Sequence, residues 1–300
     1  MKLLITGCIS WDENQKKELI DLGHELIFIQ GERIPLIQQK IDISGIEGVI
    51  CNGLFLYNDI KMFKSLKYIQ LTSAGFDRVP LDYIKANNLT INNARGVYGI
   101  PMAEFVLSNI LSFYKKISFF RENQQTKKWI KDRNIIELFN KKICIIGCGN
   151  VGTECAKRFK AFDCCVYGVD LLPFIDNNYD HIYSLDDLNE VISKVDIVVL
   201  TVPLTNKTKN LIDYERLNLL KEHAILINIS RGGVLNTNSI VKISKEKNIY
   251  FILDVFDEEP LCVNSELWGM KNVVITPHNS FVGEGNRTRL QKCIIENLIE

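Results

Sequence analysis

Short apolar runs alternate with amphipathic stretches along most of this chain. In the first third the runs are Leu3–Ile5, Glu25–Ile29, Gly48–Cys51, Tyr68–Thr72 and Leu89–Asn92, and Glu13–Leu22 and Asp59–Ser65 carry apolar residues at helical spacing between them. That alternation predicts a small parallel sheet with helices packed on it. A long apolar helix opens at Gly99 with Pro101 in its first turn, where proline's missing N–H breaks no helical hydrogen bond. The polar stretch Arg121–Asn134 is expected to be a surface connection. After it come Ile143–Ile146, a run ending at Asp170, Asp196–Leu200, Ala224–Asn228, Tyr250–Leu253 and Val273–Ile275. These runs are rich in Val, Ile and Leu with little polar alternation, as strands covered on both faces must be. Helices are expected at Asp186–Ile192, Asp213–Leu220 and Ser239–Glu246. The fold class that follows is α/β, with two doubly wound parallel-sheet domains. One is expected to span 1–95 plus 280–300, the other 96–279.

The densest signal lies at residues 141–170. Ile143–Ile146 stops at Gly147-x-Gly149-x-x-Gly152, after which Val151, Cys155, Phe159 and Phe162 recur at helical spacing. Strand, glycine turn and helix in this order suit a dinucleotide: the first glycine allows the bend, the second admits a pyrophosphate, and the third lets the helix pack on its strand. Asn150 and Val151 lie at the helix start, where free N–H groups and the dipole favour a phosphate. Asp170, about twenty residues on, offers a carboxylate to ribose hydroxyls. Leu171 and Leu172 then offer no cation to a 2′-phosphate, so the pattern favours NAD over NADP.

Charge and cysteine content narrow the function. Thirty-six basic and thirty-six acidic side chains cancel, which points to neither nucleic acid nor an anionic membrane surface as a partner. No run is long enough to span a bilayer and the start has the pattern of a strand, so a cytoplasmic location is expected. Most of the nine cysteines, including Cys144, Cys155, Cys164 and Cys165, sit inside apolar runs as small buried hydrophobes. Neither disulfides nor a metal site is expected.

Ligands of doubly wound sheets bind beyond the carboxyl ends of the strands. There Ala224–Asn228 leads to Arg231, Tyr250–Leu253 leads to Asp254 and the pair Glu258-Glu259, and Val273–Ile275 leads to His278. An arginine, a carboxylate and a histidine are thereby expected to gather at one edge. His24, His181 and His223 fall before or between elements and are expected to be structural. In the first domain, Ser73–Asp77 follows a strand end and suits a tight loop whose free N–H groups hold a carboxylate.

Taken together, Ser73–Asp77, Asn93–Val97 with Ala103-Glu104, Gly147–Gly152, Val202–Thr205, Ile229–Gly233, Asp254–Pro260 and Thr276–His278 resemble the D-isomer-specific 2-hydroxyacid dehydrogenases, in that family's order and over nearly the whole chain. The resemblance implies a Rossmann NAD-binding domain and a flavodoxin-like substrate domain. It implies reversible hydride transfer between NAD(H) and C2 of a small 2-oxo or D-2-hydroxy acid, with Arg231, Glu259 and His278 catalytic. It also implies cofactor contacts along Thr201, Val202, Pro203, Ile229, Arg231, Asp254 and His278, with Asp254 orienting the nicotinamide carboxamide. Substrate contacts are implied at Ala74, Gly75, Arg231 and His278. Asn52–Phe55, Tyr98 and Met102 are expected to read the substrate side chain, and Leu54 and Phe55 suggest a small or apolar one. The helix from Pro101 resembles the one through which members form homodimers. Thr201 stands where many members have histidine, and the chain ends at Glu300, sooner than most, without the regulatory domain of the longer phosphoglycerate dehydrogenases. Feedback control by a bound amino acid is therefore not expected. Two other readings share this pattern, phosphite oxidation and a NAD-sensing binding protein. Formate oxidation is disfavoured because Glu259 stands where formate dehydrogenases carry glutamine.

Overall fold

In the computed structural model residues 1–299 are described; Glu300, where the expected first domain closes, lies outside them. The chain divides into two units, Met1–Tyr98 with the segment from Gly283 onward, and Gly99–Val282.

The first unit runs β1 (Lys2–Thr6), α1 (Glu13–Asp21), β2 (Glu25–Ile29), β3 (Gly48–Cys51), β4 (Tyr68–Leu71), α2 (Leu81–Ala86) and β5 (Thr90–Asn92), and its closing helix is Asn286–Ile299. Helix α1 starts where Asp12 and Gln15 form a reciprocal capping box. The strands pair in parallel in the order β2-β1-β3-β4-β5. This flavodoxin-like order has its switch point between β1 and β3, and the carboxyl edge beside it is where such sheets take ligands. Side chains alternate across the sheet: Leu4, Val49 and Ile69 pack with Leu36, Leu54 and Phe63 on one face, while Leu3, Ile5 and Ile50 pack with Leu19, Leu290 and Ile294 on the other.

Asp59–Ser65 is not the expected α-helix. Short 3₁₀ turns occupy Leu54–Leu56 and Ile60–Met62. Ile60, Phe63 and Leu66 are all buried, yet only Ile60 lies inside a 3₁₀ turn, so their apolar spacing reflects separate core contacts and not one helical face.

The second unit runs α3 (Gly99–Tyr114), α4 (Ile117–Gln125), β6 (Lys142–Ile146), α5 (Asn150–Lys160), β7 (Cys165–Asp170), β8 (His181–Ser184), α6 (Leu188–Ile192), β9 (Ile197–Leu200), α7 (Tyr214–Leu219), β10 (Ile225–Asn228), α8 (Thr237–Ile243), β11 (Tyr250–Leu253) and β12 (Val273–Ile275). All strand pairs are parallel, in the order β12-β11-β10-β9-β6-β7-β8. Counted from β6, this is the dinucleotide-fold order 3-2-1-4-5-6 with one more strand beyond, and the switch point lies between β6 and β9. Helices cover both faces, and every residue of β9 and β10 is buried, which explains the unbroken apolar runs there.

Three details differ from the sequence expectation. Helix α4 lies partly within the supposed surface connection; Asn123 is its one buried residue, so it carries no apolar stripe to read. His181 opens the edge strand β8, in which Ile182 is the buried residue. Helix α8 starts earlier than Ser239 because Asn236 is its cap, accepting from Ser239 N–H at 3.0 Å. No helix among the described residues is long and apolar enough to cross a membrane.

Candidate active site

Each glycine of the 147–152 turn meets a separate geometric demand. Gly147 adopts φ +97°, and a Cβ there would lie 2.8 Å from Val202 Cγ1. A Cβ on Gly149 would meet nothing within 4 Å, so this position opens onto free space in front of helix α5. A Cβ on Gly152 would lie 2.2 Å from the Gly147 carbonyl oxygen and 3.1 Å from Ile145 Cγ2, so only glycine lets α5 come this close to β6. Gly149 caps α5 without a side-chain hydrogen bond, which leaves the N–H groups around Asn150 and Val151 to a ligand. Room at Gly149, an open helix start and a carboxylate at the end of β7 together fit a dinucleotide pyrophosphate and ribose.

That carboxylate is Asp170. Its Oδ2 accepts from Cys148 N–H at 2.8 Å, which fixes the side chain against the glycine turn, and Leu171 and Leu172 beyond it are exposed. Across the switch point the Thr201 hydroxyl donates to the carbonyls of Ile146, at 3.0 Å, and Gly147, at 2.6 Å. Thr201 thus braces the turn through its side chain. The Pro203 carbonyl accepts from the Thr208 hydroxyl at 2.6 Å, and this holds the Val202-Pro203 segment in place.

Arg231, Glu259 and His278 follow the adjacent strands β10, β11 and β12 at one sheet edge. Asn228 organises the first loop: its Oδ1 accepts from Ser230 N–H at 3.1 Å and Oγ at 2.8 Å, while its Nδ2 donates to the Arg231 carbonyl at 3.0 Å. Ile229, between them, is buried. Arg231 Nη1 donates to the Ser230 carbonyl at 2.9 Å, and a Cβ on Gly232 would lie 2.0 Å from the Phe256 carbonyl carbon. Glycine there lets the arginine loop close onto the loop carrying Glu259.

His278 Nδ1 pairs with Glu259 Oε2 at 2.7 Å, and Glu259 Oε1 accepts from Phe256 N–H at 3.0 Å. The ring also meets Phe281 edge-on at 5.8 Å. Glu258 is exposed and takes no part in the pair. The His278 backbone is at φ +50°, uncommon for a residue with a Cβ, and is held by N–H bonds to the carbonyls of Asp254, at 2.8 Å, and Thr276, at 3.1 Å.

Asp254, implied to orient the nicotinamide carboxamide, also holds a turn of its own unit together. Its side chain is fully buried beneath the 276–280 turn. Oδ1 accepts from Thr276 Oγ1 at 2.6 Å and Asn279 N–H at 2.8 Å, and Oδ2 accepts from Ser280 N–H at 2.9 Å. The carboxylate is the anchor of the turn that presents His278, a role that nothing in the local sequence announces.

In the first unit, the carbonyls at the 73–75 loop point inward: Ser73 O accepts from Ala94 N–H at 2.9 Å and Ala74 O from Asn93 Nδ2 at 2.6 Å. In trans peptides the following N–H points the opposite way, so the amides of Ala74 and Gly75 face away from Asn93 and Ala94. Tyr98 donates its hydroxyl to the Thr72 carbonyl at the end of β4. Met102, on α3, packs against the core of the second unit. Leu54 is fully buried in the core of the first unit, and the partly buried Phe55 packs against that core, edge-on to Phe63 at 5.8 Å. What β3 offers at its end instead is backbone, the N–H groups of Asn52 and Gly53, and both donate to Glu32. Glu32 is a residue sequence reasoning passed over, because it sits in an irregular stretch after β2 with no motif around it.

Residues 107–280 match the family model described as D-isomer specific 2-hydroxyacid dehydrogenase, NAD binding domain. The chain is 34% identical over 246 residues to a glyoxylate reductase of Thermofilum pendens, covering 78% of this chain and 71% of that protein. It is 32% identical over 284 residues to a D-3-phosphoglycerate dehydrogenase of Methanocaldococcus jannaschii, covering 93% of this chain and 53% of that one. Among solved structures, a protein of Aeromonas salmonicida described as a D-isomer specific 2-hydroxyacid dehydrogenase family protein superimposes with TM-score 0.80 at 25% identity, covering 99% of this chain and 94% of that chain.

Proposed function

The chain belongs to the D-isomer-specific 2-hydroxyacid dehydrogenase family, with NAD as the cofactor of its second unit, and within that family we propose that it reduces a small 2-oxo acid to the D-2-hydroxy acid, reversibly. The reading takes the first unit as the substrate-binding domain and the second as the NAD-binding domain. The observation that carries it is the His278–Glu259 pair at 2.7 Å, with Arg231 following the neighbouring strand β10 at the same carboxyl edge of the sheet that holds the glycine turn.

When bound, NADH supplies the hydride for C2. Gly147, Gly149, Asn150, Val151 and Gly152 would hold its pyrophosphate and Asp170 its adenosine ribose, and Thr201, Val202, Pro203 and Ile229 would supply further contacts to it. His278 Nε2 donates a proton to the carbonyl oxygen and takes it back in the oxidative direction. Glu259 on Nδ1 fixes the tautomer and stabilises the charged ring. The Arg231 guanidinium offers a planar fork to the substrate carboxylate and polarises the carbonyl, and the amides of Ala74 and Gly75 offer further donors to that carboxylate. Asp254 acts through the turn it anchors.

The test is NADH consumption against glyoxylate, hydroxypyruvate, pyruvate and longer 2-oxo acids, with NADPH in parallel. Turnover with NADH well above that with NADPH supports the reading; tight NADH binding with no turnover on any of them overturns it. A homodimer and a cytoplasmic setting belong to the same proposal. Ile117 on α4 and Trp129 and Ile130 just after it leave large apolar side chains exposed, Trp129 at 96%, as a surface covered by a second copy would. A monomer by sedimentation at micromolar concentration would refute the dimer.

A further inference from the structure

We propose that Glu32 sets the charge selectivity of this enzyme, by filling an anion-binding nest of the first unit with the chain's own carboxylate and so rejecting 2-oxo acids that carry a second anionic group. The inference rests on the functional reading above and deepens it to a substrate class.

Three donors from two strand ends converge on this side chain. Oε1 accepts from the Thr6 hydroxyl at 2.5 Å and from Asn52 N–H at 2.6 Å, and Oε2 accepts from Gly53 N–H at 2.7 Å. Thr6 ends β1, and Asn52 and Gly53 directly follow β3, so the carboxylate sits on the switch point of the five-stranded sheet. Successive backbone N–H groups at such a place form a concave anion site. Here the anion is intramolecular. The neighbouring Cys8, which accepts from the same Thr6 hydroxyl at 2.9 Å, adds no charge of its own, because burial pushes its thiol up to about 12.

The Ala74 and Gly75 amides proposed to take the substrate's C1 carboxylate follow β4, and β4 is the neighbour of β3 in the same sheet. A substrate side chain extending along that edge from β4 toward β1 meets the Glu32 carboxylate. Were residue 32 neutral, the Asn52 and Gly53 amides and the Thr6 hydroxyl would offer donors to a second carboxylate or a phosphate. With glutamate present they are taken, and a second anion is opposed by like charge. Two unit charges about 6 Å apart at an effective dielectric of about 20–40 disfavour binding by roughly ten- to a hundredfold.

The experiment compares kcat/KM for hydroxypyruvate and pyruvate with kcat/KM for oxaloacetate, 2-oxoglutarate and phosphohydroxypyruvate, in the full-length protein and in Glu32→Gln and Glu32→Ala. Glutamine keeps the shape and removes the charge, so it remains informative if the alanine variant fails to fold. The expected result is a wild-type preference for the substrates without a second anion, with the ratio moving at least tenfold toward the dianionic ones in Glu32→Gln. A wild-type preference for dianionic substrates, or a ratio that does not move, overturns the proposal. If no 2-oxo acid is turned over, the functional reading fails by itself, and calorimetry with malonate and inorganic phosphate still decides the nest: binding by Glu32→Ala and not by wild type upholds it, and equal binding or none by either overturns it.

Discussion

Replacing Asp254 by asparagine changes one atom beneath the turn that carries His278, and the structure allows its cost to be worked out. Asparagine keeps one carbonyl oxygen, which can still accept from Thr276 Oγ1 and Asn279 N–H, the two donors that Oδ1 serves at 2.6 and 2.8 Å. Its NH₂ then faces the Ser280 N–H that Oδ2 accepts at 2.9 Å, and Ser280 is itself buried at 2% exposure. One charge-assisted bond, about 1.5–3 kcal/mol, is lost and one buried donor is left unpaired at about 1–3 kcal/mol. Relief from burying a full charge offsets part of this, so the expected net destabilisation is about 2 kcal/mol. The larger consequence is positional. His278 depends on this turn for its left-handed backbone, and a displacement of about 1 Å at a reacting group costs on the order of 10²-fold in rate. Urea unfolding, kcat and NADH affinity by fluorescence are measured together. The expected pattern is lower stability and a kcat reduced about 10²-fold, with NADH affinity within about threefold of wild type. Stability within about 0.5 kcal/mol and unchanged kcat would refute the anchoring argument. A loss of NADH affinity at unchanged stability would instead return Asp254 to direct contact with the nicotinamide.

Further expectations follow from the same geometry. Gly152→Ala places a Cβ 2.2 Å from the Gly147 carbonyl oxygen and should cost about 1–3 kcal/mol by denaturation together with NADH binding, whereas Gly149→Ala meets no protein atom and should weaken NADH binding at nearly unchanged stability. Equal stability losses in the two would refute the separate roles given to these glycines. His278→Ala should lower kcat by about 10²- to 10⁴-fold while NADH still binds, as loss of a positioned general acid does, and a wild-type rate would remove His278 from the chemistry. Burial alone would raise the Asp196 carboxyl, but the Lys142 N–H at 2.8 Å and the Lys221 ammonium at 2.9 Å outweigh it and hold the group below the usual range. A carboxylate depressed in the folded state adds stability that is complete above its unfolded value near 4 and is lost as pH falls through its folded value. Asp196→Asn should therefore reduce stability at pH 7 and flatten its decline as pH falls below about 4, as read by urea titrations on the acid side; an acid limb as steep as wild type would contradict this.

The legible parts of the sequence were those whose causes are local. Gly147 takes a left-handed turn, Gly149 leaves the helix start open and Gly152 lets the helix close onto its strand, all inside one strand–turn–helix segment of sequence, so their spacing announced both the cofactor and the fold around it. Arg231, Glu259 and His278 were visible because strands β10, β11 and β12 end a few residues before them, and strand ends are where such sheets do chemistry. The demand on Asp254 comes from a turn more than twenty residues later in the chain, and that on Glu32 comes from amides twenty residues ahead. Neither leaves a periodic trace. Leu54 shows the converse failure: an apolar residue after a strand end suggested a substrate surface, yet its neighbours Ile60, Phe63 and Leu66 turn it into core. Helix α4 and strand β8 escaped because each buries a single residue, too little to set a period.

The central claim is that this chain moves a hydride to C2 of a 2-oxo acid with D selectivity. The most direct measurement is to reduce pyruvate or hydroxypyruvate, whichever is turned over, with NADH deuterated at C4 of the nicotinamide on the transferred face, and to resolve the product by mass and on a chiral column. The account predicts one deuterium at C2 and the D-2-hydroxy acid as the product. An unlabelled product, or the L-isomer, would contradict it.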